Sequence, residues 1–305
     1  MTSRRTAAYL SLTLAMMTVG STVVASKIIG TTIPPFTATA IRFAMALPIL
    51  LALMRLTKTR LAVSSRHDLL ILIVQAAAGS VGYTVLLISG TRLTTATDAG
   101  VILGALPSAA ALISALLLRE TLSLRTIGAI VLATLGVVLV TVAPAGGQGE
   151  RSWGGDALVL CAVLSESLFI LLNKRLRAPI PPLALSTAMV GLGLILSLPF
   201  AAVEVADGRS ATLSASSLLA VLYYALVPTI GGFYLWYSGS RRVEGKEAAV
   251  FTAVSPITAV LLSCAFLGDT LTLATGAGLG LVVTAVAMTS SIALRPSASA
   301  SIRRP

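Results

Sequence analysis

Two ionisable residues lie inside long apolar runs, where charge is expensive. Glu166 falls about twelve residues into the run 154–173, about 18 Å along a helix at 1.5 Å per residue. That is near the centre of a bilayer, where a carboxyl is costly and by default marks function. It suits a group that takes up and releases a proton or that meets a substrate ammonium. The same residue also fits a structural carboxyl, protonated or paired within a bundle. Arg42 is the only basic residue well inside a run, about 10 Å from the start of 36–54. It can snorkel outward, bind an anionic substrate group or pair with an acid.

Uncharged hydrogen-bonding and small residues surround these two in the chain. Gln75, Gly79, Gly82 and Tyr83 share one helical face by their spacing. Glycine admits close backbone approach, and Gln75 and Tyr83 offer hydrogen bonds. A later run carries Tyr223, Tyr224, Gly231, Gly232, Tyr234, Trp236 and Tyr237. The deeper Tyr223 and Tyr224 are cavity candidates, and Trp236 and Tyr237 are expected in an interfacial belt. Thr252, Ser255, Pro256, Ala259 and Ser263 line another stripe, with Thr97, Gly104 and Ser108 as a counterpart. Such stripes serve either a cavity or helix packing. The candidate substrate-binding set is Gln75, Gly79, Tyr83, Gly104, Pro107, Glu166, Tyr223, Tyr224, Thr252 and Pro256. Glu166 is the proton-coupling candidate, and Arg42 is structural or anion-binding.

The elements that position these residues follow from composition. Of 305 residues, 56% are hydrophobic and 11% charged, against about 25% charged in soluble domains. This excludes a disordered chain, a soluble enzyme and a disulfide scaffold. Ten stretches are long enough to cross a membrane: 8–28, 36–54, 68–89, 97–118, 122–143, 154–173, 183–203, 216–237, 247–267 and 271–292. The run from Ala7 to Ile29 exceeds the core of a signal peptide, so it reads as an uncleaved first helix. The net charge of +11 is too thinly spread for nucleic acid. It reads as topology instead. With ten crossings, most Lys and Arg fall on the side of the N-terminus, Arg55, Arg60, Arg175, Arg241 and Arg304 among them. The opposite loops hold Lys27, Arg92, Arg151 and Arg209. Both termini are therefore expected in the cytoplasm.

An internal repeat organises the spans. At an offset of 149, Gly82 meets Gly231, Arg92 meets Arg241, Pro107 meets Pro256 and Glu120 meets Asp269. Near the start of each half the offset is 147, where Pro35 meets Pro182 and Lys27 meets Lys174. Each copy has an odd number of crossings, so the second is inverted. The expected fold is all-α and membrane-embedded, with ten transmembrane helices as two inverted five-helix repeats. The repeats span 1–143 and 154–293, joined by a periplasmic linker at 144–153 and followed by a disordered cytoplasmic tail at 294–305. Inverted repeats with interrupted helices at matching positions are typical of secondary transporters with a midplane site. Pro107 and Pro256 are expected mid-helix at such positions.

Several motifs carry the same architecture. They are VGSTVVASK (19–27), AIRFAMALP (40–48), Pro107 followed by Arg119-Glu120, FYLWYSGSR (233–241) and GDTLT (268–272). In this order the chain resembles the drug/metabolite transporter superfamily, specifically its EamA-type ten-helix branch. The resemblance covers about residues 8–292 and departs from the usual motifs at Val19 and Asp269. It implies export of small metabolites, commonly amino acids or their relatives, across the bacterial inner membrane. It also favours a structural role for Arg42, which belongs to a shared motif.

Other features have plain readings. Gly276, Gly278 and Gly280 lie in a span with no preceding strand, so they form no nucleotide loop. The Gly276/Gly280 and Gly100/Gly104 pairs are expected at helix contacts. Cys161 and Cys264 lie within spans, and His67, the one histidine, lies in a loop. No metal, cofactor or ATP-binding motif is expected, and nothing assembles an intramembrane enzyme. The alternative is an uncoupled facilitator or channel. The expected partners are the bilayer and a small-molecule metabolite, with the protein working as a monomer or homodimer.

Overall fold

The computed structural model describes residues 2–61, 65–118, 122–142, 152–173, 175–177, 179–208, 214–243, 248 and 251–293. Arg119, Glu120, Arg151, Lys174, Arg209, most of the linker and the tail from 294 lie outside them. All regular structure among the described residues is helical: α1 (Thr2–Gly30), α2 (Pro35–Leu56), α3 (Arg66–Gln75), α4 (Tyr83–Leu93), α5 (Ala96–Leu103), α6 (Leu106–Leu118), α7 (Leu124–Val142), α8 (Trp153–Asn173), α9 (Pro182–Ala206), α10 (Ala215–Tyr224), α11 (Phe233–Ser240), α12 (Val254–Leu267) and α13 (Leu273–Ala293). Wide π-helical turns at Ala76–Gly82 and Ala225–Gly232 join α3 to α4 and α10 to α11. Counted through these turns, seven helices are long and apolar enough to cross a bilayer. There are eight if α5 and α6, bent by 45° at their break, make one span. The last two apolar helices, Val254–Leu267 and Leu273–Met288, are shorter.

The helix starts explain themselves chemically. Pro34-Pro35 and Pro181-Pro182 open α2 and α9, where a missing N–H costs nothing and φ is already set. Ser65, Thr95 and Ser214 cap α3, α5 and α10, each accepting from the backbone N–H three residues on. Acids from elsewhere in the chain cap two starts. The Glu204 carboxylate accepts from the N–H groups of Phe36 (3.1 Å) and Thr37 (2.7 Å). Asp269 accepts from the N–H (3.0 Å) and hydroxyl (2.7 Å) of Thr97. Each ties one part of the chain to a helix start far from it.

The helices pack as a bundle with α1 and α8 near the centre. α1 lies against α4, α10, α11 and α12, while α8 lies against α3, α4, α5 and α6. α2 pairs with α9, and α7 with α13. Large apolar side chains such as Leu116, Leu124, Phe266 and Leu273 face outward, as a lipid-solvated surface requires. At one end, Lys27 on α1 donates to the Thr94 carbonyl (2.8 Å). It is therefore a tie between helices as well as an end-of-helix cation.

Two sequence expectations change. Pro107 occupies the second position of α6, just after the break at Gly104-Ala105, and Pro256 sits in the first turn of α12. Neither interrupts a continuous helix, because the chain breaks ahead of each and leaves the proline where no N–H is needed. The glycine contact in α13 also moves. Nothing approaches Gly276 or Gly280, whereas a Cβ on Gly278 would meet the Gly136 carbonyl of α7 at 2.9 Å. Residue 278 lies two positions from each, on the opposite side of the helix, and that side faces α7. Gly100 and Gly104 do pack closely, against α12 and Val282 of α13. Overpacking a close helix contact costs about 1–3 kcal/mol. Gly278→Val is therefore expected to lower unfolding stability in detergent by about 2 kcal/mol, and Gly276→Ala to leave it unchanged or raised. Equal effects from the two would contradict this packing.

Candidate functional site

The two wide turns define the middle of the bundle. Pro228 has no N–H to offer the Tyr224 carbonyl, and the Thr229 hydroxyl donates to it instead at 2.8 Å. In the other turn the Ser80 carbonyl accepts from the Thr84 hydroxyl (3.0 Å) and from Arg42 Nη2 (3.0 Å). Wide turns of this kind leave carbonyls that need such partners and occur often at functional sites. Both open onto one cavity of about 40 Å³ between α1, α2, α4, α8 and α11. That volume holds about three waters, so in this conformation the cavity is too small for a metabolite.

Arg42 and Glu166 both line this cavity, together with Gly79, Tyr83 and Tyr224. The Arg42 guanidinium lies 4.2 Å from the centroid of the Phe43 ring and 4.4 Å from that of Tyr224. Stacking and the Ser80 carbonyl hold it in place, while its buried Nε has no hydrogen-bond partner. Among the described residues nothing hydrogen-bonds to Glu166 or forms an ion pair with it. Arg42 and Glu166 therefore share a space without neutralising each other. Tyr83 lies within electrostatic reach of Glu166, and its hydroxyl is 2.9 Å from that of Thr22. Gly79 leaves room for the Phe169 ring, which a Cβ would strike.

The remaining candidates lie elsewhere. Gln75, one turn from Gly79, is fully buried and donates to the Phe169 carbonyl at 3.0 Å, tying α3 to α8. Tyr223 turns away from Tyr224 and donates to Ser21 Oγ at 2.7 Å. Gly104 meets Val282, and Pro107 sits at the break between α5 and α6. Thr252 and Pro256 are buried at the start of α12, which packs against α1. The cavity adds Thr22, Phe169, Pro228, Thr229, Phe233 and Trp236. Pro228, four residues after Tyr224 and just before Gly231-Gly232, was the readable signal for this region. Trp236 and Tyr237, expected in a belt, are buried, because their face of α11 turns toward α1. Trp153 and Tyr234 are exposed instead.

An apolar helical bundle around a central cavity lined by an arginine and a glutamate is the architecture of a multi-pass membrane protein. The EamA-like transporter family model matches residues 6–142 and 153–291, and the chain belongs to that family. An uncharacterized transporter of Bacillus subtilis (strain 168), YetK, is 35% identical over 258 residues, covering 84% of this chain and 78% of that one. A "Probable amino-acid metabolite efflux pump" of Salmonella typhimurium is 29% identical over 167 residues, covering 52% and 56%. A solved crystal structure shares the fold with a TM-score of 0.64 at 22% identity, over 94% of this chain and 97% of that one.

The burial of Trp236 is directly measurable, since the chain has two tryptophans. In Trp153→Phe, the remaining emission from Trp236 is expected to be blue-shifted and shielded from iodide. In Trp236→Phe, the emission from Trp153 is expected to be red-shifted and quenched. Equal iodide quenching of the two variants would contradict the placement of Trp236 beside a closed cavity.

Proposed function

We propose that the protein is a secondary transporter exporting small metabolites, amino acids or related compounds, by proton-coupled alternating access. The single observation that carries this reading is Glu166, a carboxylate at mid-bundle depth with no bonding partner among the described residues. A carboxyl that lines a cavity with no protein group bonded to it is available for a proton or a substrate ammonium. Opening the cavity to water on either side lets it exchange that proton. Arg42, in the same cavity, offers the complementary charge for a substrate carboxylate, and the deprotonated Glu166 meets an ammonium. The name of the Salmonella relative points to the same class of compound.

In this reading the chain crosses the bacterial inner membrane ten times, as two inverted repeats with both termini in the cytoplasm. Residues 149 apart support the repeat by doing matching jobs. Ser65 and Ser214 cap α3 and α10. Asp68 accepts from the Arg177 N–H at 3.1 Å, and Ser217 bonds Thr32 at 2.6 Å, each holding the loop before the other half's second helix. The packing of α1 on α11 and α12 mirrors that of α8 on α4 and α6. The short helix Val254–Leu267 then counts as the membrane-embedded remainder of a broken ninth span, and α13 as the tenth. Because the cavity is too small for a metabolite in this conformation, transport requires the halves to separate around it, as alternating access demands.

Proteoliposomes test the coupling. A panel of radiolabelled amino acids is assayed with and without an imposed pH gradient. The wild type is expected to accumulate its substrate only with the gradient. Glu166→Gln is expected to lose that accumulation, by about tenfold or more, while keeping counterflow exchange. A mutant that keeps full gradient-driven transport would remove Glu166 from coupling. A wild type indifferent to the gradient would make the protein a facilitator.

A further inference from the structure

The repeat exposes a difference between its two copies. At one end of the bundle, Arg92 closes the gap between α4 and the loop before α2. Its Nε donates to the Gly30 carbonyl at 2.5 Å and its Nη2 to the Ile33 carbonyl at 2.8 Å. The repeat places Arg241 at the matching position, beyond α11, and Ile180 with Pro181-Pro182 at the matching loop before α9. Among the described residues no such bond forms there. Arg241 and Arg242 are exposed, and a groove of about 410 Å³ takes the place of the clamp. Its walls are Thr57 and Thr59 beyond α2, Pro181 and Pro182 before α9, and Tyr234 and Ser238 on α11. Among the described residues neither guanidinium meets a carboxylate. Glu244 and Glu247, the acids nearest in the chain, lie outside them.

We propose that this groove is a binding site for the phosphate headgroup of an anionic membrane phospholipid. Four features select that occupant. The groove lies where α2 and α11 end and α9 begins, which is the depth of the headgroup layer in either leaflet. Two adjacent guanidiniums present the fork geometry that grips phosphate oxygens. Ser238 adds a hydroxyl donor, while the Thr57 hydroxyl donates to the Leu53 carbonyl and bonds Thr59. Tyr234, half exposed along α11, and Leu183 extend an apolar wall toward the acyl region. The volume is about ten times that of the central cavity, enough for a headgroup. A bound lipid would supply the anchoring between α11 and the α9 loop that Arg92 supplies in the other copy. Basic pockets between helix ends are the usual seats of such headgroups. The site is separate from the transport cavity and does not depend on the coupling assigned to Glu166.

The full-length protein, delipidated in detergent, is titrated with dioleoylphosphatidylglycerol, dioleoylphosphatidylcholine or inorganic phosphate. Retained lipid is read by native mass spectrometry and stability by the thermal midpoint. The expected result is one phosphatidylglycerol retained under conditions that strip phosphatidylcholine, with a raised midpoint for the anionic lipid only. Arg241→Gln/Arg242→Gln is expected to bind it roughly 30-fold more weakly, the loss from two cationic contacts at a lipid surface. Arg125→Gln, a cation on α7 away from the groove, serves as control and is expected to bind as wild type. Equal retention by wild type and the double variant would overturn the site. So would equal retention of the two lipids by the wild type, a comparison that needs no variant to fold. A midpoint raised as much by inorganic phosphate as by the lipid would overturn the lipid assignment in favour of a free anion.

Discussion

Water is absent at the centre of a bilayer, so every polar group there must find its partner inside the protein. This constraint organises the whole molecule. At several places where the described backbone leaves regular α-helix, a specific side chain arrives to satisfy it. Thr229 takes the carbonyl freed by Pro228, Thr84 and Arg42 take that of Ser80, and Glu204 and Asp269 take the N–H groups at the starts of α2 and α5. Several of these partners come from distant parts of the chain, so satisfying the backbone also holds the bundle together. Arg42 belongs to this economy as much as to any ligand, because its contact with Ser80 helps stabilise the wide turn between α3 and α4.

Glu166 differs from these partners. It lines the space that the wide turns create but takes part in none of their hydrogen bonds. A structural carboxyl at that depth would be expected to answer some donor nearby. In the proposed mechanism, a carboxyl with no bonding partner among the described residues is the group free to take up or release a proton when the cavity opens. The same turns that form the cavity also interrupt the regular hydrogen-bond ladders of α3–α4 and α10–α11.

Much of this was legible in the chain because long-range patterns survive averaging. Apolar runs set the helices, and the 149-residue offset paired positions that turn out to perform matching jobs. Intramembrane charge singled out Arg42 and Glu166, and helical spacing set Gly79 and Tyr83 on one face. What was not legible depends on rotation about a helix axis by less than one residue pair. Tyr223 and Tyr224 differ by about 100°, and only one faces the cavity. Gly278 packs while its neighbours Gly276 and Gly280 do not. Trp236 and Tyr237 have the composition of a belt, and only the packing of α11 on α1 turns them inward. The wide turns were also hidden, since they follow from Pro228 in one half but from glycine-rich sequence without proline in the other.

The central claim is that the cavity beside Glu166 opens to each side of the membrane in turn. It is tested most directly by placing a single cysteine at Thr229, in a background with Cys161 and Cys264 replaced by alanine. A membrane-impermeant maleimide is then added to oriented membranes from one side or the other. The account predicts labelling from both sides, with substrate or a pH gradient shifting the ratio of the two rates. Labelling from one side only, under every condition, would contradict it.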